Sequence, residues 1–205
     1  MPGTPEAADL ELESAIRDLS DSSSNVIAAA LEKVRKADGR GKRAVASIVN
    51  LLQDAMRSKL VAPLNGEPCL IEQHAWHTLA KMGEDAAEAL PLLRQRITNS
   101  PEGCWRSWGQ PYHGLCLVLA SIAPQEAMPI CRKAIASAGK DRGGEFHAAL
   151  DVAQVIGKPA IPILLEHCGL FSGKRGKDCQ YIANQISQFG SKVPHWENHY
   201  AYIYD

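Results

Sequence analysis

Four segments of this chain repeat one arrangement: an apolar helix pattern, a small turn residue, and a second helix pattern. The turn residues are Gly83, Ala123, Gly157 and Gly190, spaced 40, 34 and 33 residues apart. The first unit runs from His74 to Gly83 and on through Ala86, Pro91 and Leu93. The second runs from Leu115 to Ala123 and on through Pro124, Ala127 and Pro129. The third runs from Ala148 to Gly157 and on through Ala160, Pro162 and Leu165. The fourth, from Ile182 to Gly190 and on to Pro194, has no apolar run after its turn. A period of this length in helical patterns specifies stacked helix pairs, because one pair cannot bury its apolar stripe alone. Glycine at the turn permits a backbone that closes a helix, and proline is tolerated in the first turn of the next.

The N-terminal third extends the pattern. Leu12, Ala15, Ile16 and Leu19 form one stripe and predict a helix from about Glu6 to Leu19. Ile27, Ala30, Leu31 and Val34 form a second, ending near Asp38-Gly39. Val45, Ile48, Val49, Leu52 and Met56 form a third, paired with the second around Gly39-Arg40-Gly41. Residues 61–68 read as a loop from their proline and glycine content. The expected fold is all-α: an α-solenoid of about five helical hairpins, 1–205 as a single domain. Residues 1–22 form an acidic capping helix, residues 25–205 form the stacked pairs, and sheet is scarce or absent.

The helix ends Met82-Gly83, Ile156-Gly157 and Phe189-Gly190, followed by Ala86, Ala127, Ala160 and by Pro91, Pro129, Pro162, resemble the HEAT repeat family. The likeness is to its short bacterial HEAT-like branch and covers about residues 69–205, more loosely 25–60. It departs at Ala123-Pro124, where the other units have glycine. The resemblance implies architecture first. It also implies a role as adaptor, inhibitor or immunity partner of a bacterial toxin. Other branches imply DNA-base glycosylases or lyase subunits that attach bilin chromophores, but no glycosylase catalytic residue can be matched here.

Charge and composition exclude several classes. Hydrophobic residues make up 45% and the formal net charge is −1, so neither a disordered chain nor a global nucleic-acid field is expected. Residues 1–24 carry six acids against Arg17 alone, leaving the rest at net +4. No apolar window is long enough for a membrane helix, and residues 1–24 lack a secretory leader pattern, so a cytoplasmic protein is expected. Most of the six cysteines are expected to be reduced and buried, and there is no Cys-x-x-Cys pair.

No nucleophile elbow or Cys-Gly-x-Cys-Trp context occurs, so no enzyme activity and no cofactor are expected. The glycine-rich turns 39–43 and 173–177, with Lys140 and Arg142, are basic but lack phosphate-loop spacing. They are read as solvated turns, with phosphate contact as the alternative. His74 and His77, near Cys69 and Glu72, and the pair His195 and His199 invite a metal reading. The His195–His199 pair has no third ligand at sensible spacing, and no metal is expected.

The candidate partner-binding residues are aromatic. Trp105, Arg106, Trp108 and Tyr112 lie between repeats, and Trp196, Tyr200, Tyr202 and Tyr204 lie in the C-terminal stretch. These two regions hold seven of the twelve Trp, Tyr and Phe residues. Such side chains supply large contact area with few rotors. The plainer reading is that they plug a gap and cap the last repeat. A second candidate surface is the face of the second helices, with Arg43, Asn50, Asp54, Gln95, Arg132 and Glu166. A protein partner is expected, nucleic acid is not, and the free protein is expected to be a monomer.

Overall fold

The computed structural model describes residues 5–64, 67–99, 112–137 and 144–170. Helix, α and 3-10 together, accounts for 86% of them. The chain divides into two compact units, Met1–Arg96 and Ile97–Asp205. The fourth sequence repeat lies outside the described residues.

The first unit opens with α1 (Pro5–Asp18) packed on α2 (Ser24–Lys36). Leu12 and Ala15 of α1 are buried, with Leu19 just past its end, and so are Ile27, Ala30, Leu31 and Val34 on one side of α2. The α2 stripe is the one the three- and four-residue spacing predicts, and the α1 stripe matches it except at Ile16, which is only partly buried. A 3-10 segment (Asp38–Ala44) leads into α3 (Val45–Gln53). Here the expected pairing changes. Helix α2 packs chiefly on α1 and on α4 (Ile71–Met82), while α3 packs on α4 and on the 3-10 segment Gly83–Ala89.

The third stripe also ends early. Leu51 is buried with Leu52, whereas Met56, expected on the stripe, is 83% exposed. The cause is Asp54. Its carboxylate accepts the N–H groups of Met56 (3.0 Å) and Arg57 (2.9 Å), so the chain turns where a helix would continue. Arg57 then donates to Asp54 (2.8 Å) and to the Leu19 carbonyl at the end of α1 (3.2 Å).

The segment expected to be a loop is a small antiparallel hairpin, β1 (Val61–Leu64) and β2 (Glu67–Leu70). Ala62 faces Cys69 across the ladder, and both are buried, while Val61 and the Pro63–Pro68 pair are exposed. That alternation is a strand period. The prolines, which argued for a loop, sit opposite each other where neither strand needs an N–H. Asn65-Gly66 between them is a hairpin signal in the sequence.

Helix α4 is the centre of this unit. Leu70 donates its N–H to Gln73 Oε1 (3.1 Å) at the helix start. Eight of its residues are buried, among them Ile71, Ala75, Trp76 and Leu79. It touches α2, α3, both strands and the turn that follows. Helix α5 (Leu90–Asn99) is tied back to α3 by Arg96, which donates to the Leu52 carbonyl at 3.0 Å.

The second unit contains α6 (Tyr112–Ile122), α7 (Pro124–Ser137), α8 (Gly144–Ile156) and α9 (Ile161–Leu170). Helix α6 packs on α7 and α8, and α7 packs on α8 and α9. First helices therefore meet first helices, and second helices meet second helices. Leu119, Ile135, Leu150, Val152 and Leu164 are buried in this stack. Cys131 Sγ donates to the Ala149 carbonyl (3.3 Å), joining α7 to α8. Burial pushes its thiol up to about 12, so it behaves as a small apolar group. Cys69 and Cys131 are in the reduced state, as expected, but Cys116 is disulfide-bonded and departs from the reduced reading.

The repeat signature has a local geometry. Gly83 (φ 59°, ψ −134°) closes α4, and Gly157 (φ 74°, ψ −142°) closes α8. This is backbone that a side chain strongly disfavours. Three or four residues later, Ala86, Ala127 and Ala160 are each almost fully buried. Pro91 and Pro162 take the second position of α5 and α9, as expected. Pro129 does not: α7 begins directly at Pro124, which leaves Pro129 inside the helix. A Gly157→Ala variant is expected to lose about 1–2 kcal/mol of stability by urea unfolding. Its Cβ would meet nothing within 4 Å, so the loss reports backbone strain alone. Gly39→Ala, also in open space but without positive φ, is expected to change little.

Candidate functional site

Most of the aromatic residues chosen from sequence lie outside the described residues: Trp105, Arg106, Trp108, Trp196, Tyr200, Tyr202 and Tyr204. Tyr112 opens α6, and its side chain lies outside them too. His195, His199 and the basic turn 173–177 are likewise outside. The structure instead gathers polar chemistry in the first unit, around the C-terminal ends of α2 and α4.

The first layer of that cluster is buried. His74 and His77 face inward from α4. His74 Nε2 donates to the Ala62 carbonyl of β1 at 3.3 Å, and Thr78 Oγ1 donates to the His74 carbonyl at 2.9 Å. Arg35 of α2 donates through Nη1 to His77 Nδ1 at 3.0 Å. Arg35 also pairs with Glu32, which reaches Lys36 at 3.1 Å. An imidazole nitrogen that accepts from a guanidinium is a neutral one. Burial, then the nearby Arg35, His74 and Lys81 charges, push His77 down from 6.5 to about 4. His74 is lowered as well, first by burial. Partial burial pushes Glu32 up, but its contacts with Lys36 and Arg35 outweigh that and hold it low.

His74 and His77 each spend one ring nitrogen on a contact within the chain. His74 Nε2 is turned to a carbonyl and His77 Nδ1 to an arginine. Glu72 lies against the Trp76 indole (3.5 Å). Among the described residues no three His, Cys, Asp or Glu side chains converge as a ligand set.

The second layer sorts the basic turn by direction. Arg40 reaches Asp9 of α1 at 3.5 Å, and Arg43 lies 3.8 Å from Asp9 and pairs with Glu13. The acidic first helix is thus partly matched to this turn. Lys42, between the two arginines, instead lines a cleft of about 260 Å³ with Val34, Arg35, Gly39, Lys81, Met82 and Asp85.

The polar residues expected on the second helices divide in the same way. Arg43 and Asp54 are engaged within the chain. Asn50 and Gln95 are exposed. Arg132 on α7 lies 3.7 Å from Glu166 on α9, both more than half exposed, so these helices share an accessible face.

No family profile, curated protein or solved structure matches this chain. Among the described residues no helix is long and apolar enough to cross a membrane.

Arg35, Glu32 and Lys81 did not stand out in the sequence as site residues. Arg35 and His77 are 42 residues apart, and no spacing rule joins them. Lys42 was legible as part of a basic turn, though its separation from Arg40 and Arg43 was not.

The cluster makes stability depend on pH in a definite sense. His77 is neutral in the fold and protonates below pH 6.5 when unfolded, so the unfolded state binds more protons. Its contribution is full above pH 6.5 and is lost as pH falls toward 4. Urea unfolding is expected to show a loss of about 3 kcal/mol across the window. A His77→Gln variant, whose amide oxygen still accepts from Arg35, is expected to be flatter between these pH values by a similar amount.

Proposed function

We propose that this protein is a non-catalytic α-solenoid that binds another protein and acts as adaptor or inhibitor. The observation that supports this reading is the order of packing in the second unit. Helix α7 lies on α9 with Arg132 and Glu166 side by side and accessible. Stacking of like helices extends one face from repeat to repeat, which is how solenoids make recognition surfaces. In the first unit, Arg96 of α5 bonds to the Leu52 carbonyl of α3, and Gln95 and Asn50 are exposed there. The HEAT-like repeat signature belongs to this proposal, as does an immunity role against a toxin. Trp105, Arg106, Trp108, Tyr112 and the C-terminal Trp196, Tyr200, Tyr202 and Tyr204 are proposed to add contact area.

Nucleic acid is the weaker reading. The basic turn that favoured it has Arg40 and Arg43 paired with Asp9 and Glu13. Phosphate binding would have to compete with those carboxylates.

The test is affinity capture from lysate of the source organism, at low and high salt, with the bound material identified by mass spectrometry. One protein retained at high salt is expected. Arg132→Glu with Glu166→Arg, a swap of an exposed pair, is expected to change stability by less than about 1 kcal/mol. It is expected to reduce capture of that protein. Alanine at both Trp105 and Trp108 is expected to weaken capture with the fold retained; unfolding would make them core residues. Nucleic acid bound at low salt alone would overturn the reading.

A further inference from the structure

We propose that the cleft between the C-terminal ends of α2 and α4 binds a small organic oxyanion, a phosphate ester or a dicarboxylate. The charge comes from three separate segments. Arg35 is on α2, Lys42 on the 3-10 segment after it, and Lys81 on the last turn of α4. Asp85 is the acid in the lining. Among the described residues, neither Lys42 nor Lys81 makes an ion pair. This contrasts with Arg40 and Arg43 on the same turn, which face the acids of α1. The fold therefore pairs two cations of the turn with acids and leaves the third in the lining of a concavity.

Some of this charge has another use. Helix C-termini carry partial negative charge, and Arg35 and Lys81 sit where they offset it. Lys42 lies in the last turn of the 3-10 segment, which runs straight on into α3 at Val45, so no free helix end there takes up its charge. Arg35 is also fixed from behind by Glu32 and His77. A guanidinium held in place suits an oxyanion because little side-chain freedom is lost on binding.

Size and lining set the ligand class. About 260 Å³ is just under the usual range of small-molecule pockets, so a dinucleotide is too large. Val34 and Met82 contribute apolar wall, which suits an organic anion better than a bare ion.

The test uses the full chain and three probes: inorganic phosphate, glycerol 3-phosphate and succinate, against sodium chloride at matched ionic strength. A saturable shift of the His77 ring signals in NMR, with a rise in Tm, is expected from at least one of them. A response to the two phosphates alone assigns a phosphate ligand, and one to succinate alone a dicarboxylate. Lys42→Ala with Lys81→Ala is expected to weaken binding at least about tenfold. Both lysines are exposed, so that variant is expected to keep its Tm without ligand. Asp85→Asn is expected to tighten binding several-fold, a direction that loss of structure would not produce. No saturable response to any probe, or equal affinity in the double-lysine variant, overturns the proposal. The measurement needs no protein partner, so its failure and the failure of the adaptor reading are separate results.

Discussion

The first unit depends on how α4 buries two histidines. This helix is covered by α2, α3 and the hairpin, so its polar groups have little access to water. An imidazole in that position must be neutral and must find partners within the protein. The Ala62 carbonyl serves one, and the Arg35 guanidinium serves the other. Arg35 in turn needs an anion, which Glu32 provides one turn earlier on α2. The seam between α2 and α4 is thus fixed by a chain of dependent contacts as well as by apolar packing. Replacing one member leaves the next unsatisfied.

Charge is arranged by the same logic at the surface. The acidic stretch at the N-terminus and the basic turn after α2 are far apart in sequence, and the α1–α2 packing brings them together. Pairs this exposed add little stability each. Their effect is on availability: among the described residues Arg40 and Arg43 have acidic partners, and Lys42 and Lys81 make no ion pair. A region that reads as uniformly basic in sequence becomes a matched side and a cationic cleft.

The second unit shows a simpler constraint. Each second helix begins beside a buried alanine, Ala127 in α7 and Ala160 before α9. A larger side chain there would hold the helices apart. Glycine before the turn and alanine after it set the angle at which one helix returns along another. Where glycine is replaced by Ala123-Pro124, α7 starts at once with no 3-10 lead-in, and Pro129 falls within the helix.

Much of the fold was legible because helix stripes are local. The buried sets of α1 and α2 follow from three- and four-residue spacing, and the positive φ at Gly83 and Gly157 follows from a small residue closing an apolar run. Met56 was misplaced because the Asp54 carboxylate took backbone N–H groups that periodicity had counted as helical. The hairpin was missed because proline content outweighed the Asn-Gly signal and the alternation of Ala62 and Cys69. The candidate site was least legible. Arg35 and His77 look ordinary alone, and so do Lys42 and Lys81. Sequence by itself determined where helices form and which side of each is apolar, since those depend on neighbours a few residues away. Only the tertiary structure decided which charges are spent on partners and which are left facing a cleft, because that depends on segments the chain brings together over tens of residues.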